Sequence, residues 1–151
     1  IFFVLSSHVY CQLEYAQSSE KEQIIVHKGF TISYNDTHEQ ANWVAYQLTS
    51  NELNGSAQRR NNFLKDPKIR TGSALSSDYT NSGYDRGHLA PAADMAWSQT
   101  VMRESFYMSN ISPQQPGFNR GIWKKLEKEH LELFLKKRII QKELIKKLLL
   151  K

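Results

Sequence analysis

The sequence predicts an α+β fold, and three observations carry that prediction. Residues 29–34 and 43–49 alternate apolar and polar side chains among β-formers. Beyond Phe118, the residues Ile122, Trp123 and Leu126 recur at helical spacing. A chain of 151 residues with three Trp, seven Tyr and seven Phe has the size of one domain and the material for a real core.

Taken in order, Ile1-Phe2-Phe3-Val4-Leu5-Ser6-Ser7 resembles the apolar core of a secretory signal, so residues 1–12 read as a partial signal peptide and the product as secreted or periplasmic. Residues 13–28 read as a linker, polar over Glu14–Glu22. Gly29–Tyr34 reads as a strand closed by the turn signal Asn35-Asp36. Trp43–Thr49 reads as a second, with Val44, Tyr46 and Leu48 on one face; a short helix is the competing assignment. Residues 50–83 are rich in Asn, Ser and Gly, contain Arg59-Arg60 and Asp66-Pro67, and read as a long loop of the kind that carries function. Gln99–Glu104 reads as a short helix and Phe106-Tyr107-Met108 as a buried strand. Asn119 suits the N-cap of the helix that follows.

Charge excludes little. Residues 136–151 hold six Lys and one Arg against one Glu, a net of +6, whereas residues 1–135 carry 13 basic and 14 acidic side chains. Attraction to phosphate must come from local clusters and a metal ion, not the whole-molecule field. Cys11 is the lone cysteine, so no intrachain disulfide can form. No segment has the ~18–20 consecutive apolar residues of a membrane span.

The chemistry concentrates in Tyr84-Asp85-Arg86-Gly87-His88-Leu89-Ala90-Pro91, then in Tyr107–Gln114 and Phe118–Glu127. A neutral imidazole at His88, with an ordinary pKa of ~6.5, suits taking a proton from water. Arg86 offers a planar fork for two phosphate oxygens, or an internal ion pair with Asp85 or Asp94. Gly87 allows close approach of the backbone. Asn119 supplies a neutral carbonyl oxygen to a hard cation such as Mg²⁺, or to Mn²⁺, that keeps most of its waters. Glu127 lies eight residues on, which on a regular helix returns it to within about 80° of Asn119. That position suits holding a metal-bound water. Asn110 could orient His88 or a phosphate, or satisfy backbone groups beside Pro113, and Arg120 could reach phosphate.

Together these blocks resemble the DNA/RNA non-specific endonucleases, whose hallmark is Asp-Arg-Gly-His in a ββα-metal fold, and the resemblance implies a central antiparallel sheet flanked by helices. The likeness runs from about Gly29 to Glu127 and also includes Asn42-Trp43-Val44-Ala45-Tyr46, Asp78-Tyr79 and Ser82-Gly83. The resemblance implies His88 as general base, Asn119 as the metal's protein ligand, Glu127 acting through metal-bound water and Arg86 on the phosphate. It also implies hydrolysis to 5′-phosphate ends, with DNA and RNA held by their backbones. Residues 29–135 are then an incomplete endonuclease domain, since family members continue with further strands and helices. Residues 136–151 are a basic amphipathic tail of uncertain origin. A homodimer is compatible with the sequence, which specifies no inhibitor protein. Two other functions compete: an inactive, truncated remnant that at most binds nucleic acid, and a nucleic-acid or membrane-surface binder driven by the tail.

Overall fold

The computed structural model describes residues 22–129. The leader at 1–12, the tail at 136–151 and the end of the domain assigned to 29–135 lie outside these residues. Clustering divides the chain into two compact units, one ending at Gln114 and one beginning at Gln115, and each is described by itself.

The first unit corrects the linker. Glu22–Val26 forms strand β1, paired antiparallel with β2 (Thr31–Asn35), which pairs antiparallel with β3 (Gln40–Ala45). On β1 the buried residue is Gln23, while Ile24 and Val26 are exposed. Gln23 Nε2 donates to Asp36 Oδ1 (2.5 Å) and Thr71 Oγ1 (3.0 Å), and its Oε1 accepts from Arg70 N (3.1 Å). A polar side chain thus fills the inward position, satisfied by partners far along the chain. The hydrophobic alternation that advertises a strand is therefore absent.

Central strand β2 buries Ile32, Ser33 and Tyr34 completely. The turn after it is held by Asn35 Oδ1, which accepts from Thr37 N and His38 N. β3 lies earlier than expected. Val44, Tyr46 and Leu48 are buried as their alternation requires, but the ladder ends at Ala45.

Where one central sheet was expected, the described residues form two. The second pairs β4 (Asp85–His88) with β5 (Ile111–Gln114), antiparallel, His88 opposite Ile111. Between them runs α1 (Gln99–Ser105), which buries Val101 and Met102. Phe106-Tyr107-Met108 is buried, as expected, but is not a strand. Tyr107 makes an isolated bridge to Leu64, and a 3-10 turn follows at Met108–Asn110. The main core gathers Phe30, Ile32, Tyr34, Val44, Tyr46 and Met95 with their neighbours.

Residues 50–83 are loop with two 3-10 turns, and they are fastened to the fold. Ala57 N donates to Ala96 O (2.9 Å), Leu64 N to Phe106 O (3.0 Å), and Met108 N to Leu64 O (2.8 Å). Gly55 permits the first of these contacts, because a Cβ there would collide with the backbone of Ala96 and Trp97.

In the second unit, α2 begins at Pro116 and spans Pro116–Phe118 as a regular α-helix. It passes through a π turn at Asn119–Trp123 and continues helically to residue 129. Asn119 is therefore inside the helical run and does not cap it; Pro116 occupies the first turn, where a missing N–H costs nothing. Among the described residues no helix is long and apolar enough to cross a membrane.

Candidate active site

Strand alternation builds the first half of the site. Arg86 and His88 are two residues apart on β4, so their side chains share one face, and Gly87 points to the other. On that far side a Cβ at residue 87 would run into the Gln114 side chain. Phe63, brought over by the long loop, touches both functional residues: Arg86 Cζ lies 5.6 Å from its ring centre and the His88 ring 5.9 Å. Phe106 meets His88 edge-to-face at 4.8 Å.

These rings set the electrostatics of His88. The residue is 7% exposed. Burial, and then the charge of Arg59, push its pKa down from 6.5 to about 3. The imidazole is neutral at physiological pH. Arg59 was noted in the sequence only as part of a basic pair. The fold places its guanidinium 5.4 Å from the Phe106 ring centre, where its field reaches His88. Nothing local in the sequence links Arg59 or Phe63 to His88; the link is made by a loop that folds back.

Arg86 makes no ion pair with Asp85 or Asp94. Its Nη2 donates to Ser76 O (2.7 Å) and Thr80 Oγ1 (3.3 Å), and its guanidinium lies between Phe63 and Tyr79. The buried Nε has no hydrogen-bond acceptor among the described residues. A half-buried guanidinium held at one end, with a donor left over, suits an anionic oxygen.

Asn110 is completely buried, and its polar atoms are engaged by backbone. Oδ1 accepts from Ala90 N (2.9 Å), and Nδ2 donates to Ala90 O (3.0 Å) and Ser105 O (2.9 Å). Its own carbonyl accepts from Leu89 N (2.9 Å). Of the uses left open by the sequence, the geometry shows backbone satisfaction, but at Ala90 and Ser105 and not beside Pro113: Asn110 fixes the chain immediately after His88. Behind it, Asp66 accepts from Ser109 Oγ (2.5 Å) and pairs with His27 Nε2 (3.0 Å). Burial raises the Asp66 carboxyl pKa, but the hydrogen bonds from His27, Ser109 and Lys68 N outweigh it and hold the group below the usual carboxylate range.

The other three expected site residues lie in the second unit. Pro116, Asn119, Trp123 and Glu127 are its half-buried positions among exposed neighbours. Their 3-4-4 spacing marks one helical face, so Asn119 and Glu127 lie on a common face. The 80° offset of a regular helix does not apply, because of the π turn and the kink at Gly121 (φ −100°, ψ −105°). Phe118 and Trp123 rings, 5.5 Å apart, pack across that turn. Arg120 is exposed.

No group of three His, Cys, Asp or Glu side chains able to hold a metal occurs among the described residues. A hard cation can also be held by one amide oxygen and its own waters. Asn119 is such a donor, with Glu127 on the same face to accept from a water.

An antiparallel β4–β5 pair is followed in the chain by α2, the element order of a ββα-metal fold. The chain belongs to the DNA/RNA non-specific endonuclease family, whose model matches residues 12–141. It is similar to a nuclease of Nostoc sp., 42% identical over 106 residues covering 69% of this chain and 38% of that one. Human mitochondrial endonuclease G is 39% identical over 108 residues, 70% of this chain and 36% of that one. Among solved structures, the EndoG/EndoGI complex contains a chain superposing with a TM-score of 0.66 at 32% identity, covering 73% of this chain and 47% of that one. The chain thus spans less than half the length of these relatives.

Proposed function

We propose that this chain is a metal-dependent endonuclease that hydrolyses phosphodiester bonds of DNA and RNA without reading sequence. The observation that carries the proposal is the β4 face: Arg86 with an uncommitted Nε beside a buried, neutral His88. Arg86 binds the scissile phosphate through its fork. His88 accepts a proton from the attacking water as the water oxygen bonds to phosphorus, and the bond to the 3′ oxygen breaks in line, leaving a 5′-phosphate. A pKa of about 3 makes a weak base in the substrate-free protein. The arriving phosphate offsets the field of Arg59 and favours the imidazolium, so His88 gains basicity as substrate docks. Asn119 would hold the cation, Mg²⁺ or Mn²⁺, with Glu127 orienting a water and Arg120 reaching the backbone. When bound, the cation supplies charge stabilisation in the transition state. Asn110 is a positioning residue that fixes the backbone after His88.

The test is digestion of plasmid DNA and of RNA by the purified chain with Mg²⁺, with EDTA, and with His88→Ala. Cleavage abolished by either change supports the proposal, and cleavage by His88→Ala at the parent rate overturns it. The apolar run Ile1–Leu5 supports export to the periplasm or medium. Cell fractionation tests this, and a product retained in the cytosol would refute it.

A further inference from the structure

Beyond the β4 face, the first unit carries a groove of about 300 Å³ along α1, lined by Arg60, Asn62, Leu64, Gln99, Met102, Arg103 and Phe106. Its composition is sorted. Leu64, Met102 and Phe106 are partly or fully buried and make an apolar floor, while Arg60, Asn62, Gln99 and Arg103 are exposed and make a polar rim. The rim holds two guanidiniums and no carboxylate. Among the described residues neither Arg60 nor Arg103 has a side-chain hydrogen bond or ion pair, whereas exposed Arg59 bonds Asn61 Oδ1 (2.9 Å). Phe106 joins the groove to the candidate site, for the ring that floors the groove is the ring that meets His88 at 4.8 Å.

We infer that this groove is a second phosphate-binding subsite, in which Arg60 and Arg103 hold the phosphodiester backbone flanking the scissile bond. The inference rests on the nuclease reading of the β4 face and extends it to a track one aromatic ring away. Two uncommitted guanidiniums complement a polyanion, and side-chain amides between them can donate to phosphate or sugar oxygens. The apolar floor presents no base-edge partner, so the track adds affinity without sequence preference. Arg103 lies on α1, a rigid element. Its contribution is therefore to holding a long substrate and not to the bond-breaking step.

The test measures binding of a fluorescein-labelled oligonucleotide duplex to the full chain by anisotropy in EDTA, from about 50 to about 300 mM salt. The variants are Arg60→Gln, Arg103→Gln and the pair, with Arg70→Gln, outside the groove, as control. Each groove substitution is expected to lower the slope of log K against log salt by about 1, and the pair by about 2. In metal-supported cleavage the pair is expected to raise KM about tenfold with a much smaller change in kcat. Parent-like salt slopes in the pair, or an equal loss in Arg70→Gln, would overturn the subsite. Because the binding arm needs neither metal nor turnover, it reports on the groove even if the parent cleaves nothing. That last outcome would count against the nuclease reading alone.

Discussion

Replacing His88 with Gln should flatten the acid side of this protein's stability profile. In the folded chain the imidazole pKa is held at about 3 against an ordinary 6.5, by burial first and then by Arg59. The sign follows from proton counting. Between those values the unfolded chain binds a proton that the folded chain refuses, so stability falls as pH drops from 6.5 towards 3 and is fully present above 6.5. Each pH unit well inside that window costs about 1.4 kcal/mol, and the unfolded imidazole is only half protonated at the upper edge, so acidification from about pH 6.5 to about pH 4.5 removes about 2 kcal/mol through His88 alone. Glutamine has no such proton. The assay is urea unfolding of the full chain and of His88→Gln in EDTA at both pH values, compared as a double difference. This cancels the other titrating groups and the packing cost of the substitution itself. The variant should lose about 2 kcal/mol less than the parent. Equal losses would show that His88 is not buried as a neutral group, and the argument for its role as base would fall with it.

Asn110→Ala strips two backbone groups of Ala90 and one of Ser105 of their partners, and each buried orphan costs about 1–3 kcal/mol. Chemical denaturation should show a loss of at least about 3 kcal/mol, and a loss under about 1 kcal/mol would contradict the strut. Arg86→Lys keeps the charge but loses the fork; kcat/KM on duplex DNA should fall at least about tenfold, and parent-like kinetics would refute a forked contact. Gly87→Ala should lower Tm because its Cβ meets Gln114, and Gln114→Ser should restore it; failure of the rescue would place the strain elsewhere. Asp66→Asn should destabilise the chain by several kcal/mol, because it unbalances the buried contacts with His27 and Ser109, and an unchanged urea midpoint would contradict that.

The sequence conveyed best what is short-range. Alternation found β2 and the buried face of residues 44–48, helical spacing found α2, and the short helix read at Gln99–Glu104 is α1. It failed where alternation and pairing part company. Tyr46 and Leu48 alternate because they are buried, not because the β3 ladder reaches them. Strand β1 was invisible because its inward residue is Gln23, whose partners Arg70 and Thr71 lie over forty residues away. The start of α2 was legible in Pro116, a residue suited to the first turn, but the capping preference of Asn119 concealed it. For the site, Arg86 and His88 were legible as residue types in the Asp85-Arg86-Gly87-His88 motif, and the fold puts both on β4. The service of Asn110 to Ala90, the field of Arg59 and the double contact of Phe63 were not. Each depends on a loop returning from far along the chain.

The central claim is that water, deprotonated at His88, attacks phosphorus and expels the 3′ oxygen. Cleaving a defined oligonucleotide once per molecule in H₂¹⁸O with Mg²⁺, and weighing the fragments, tests it most directly. The account predicts one ¹⁸O in the new 5′-phosphate, a 3′ hydroxyl on the other fragment, and no products with His88→Gln. A 3′-phosphate or cyclic phosphate, or labelled products formed as fast by His88→Gln, would contradict it.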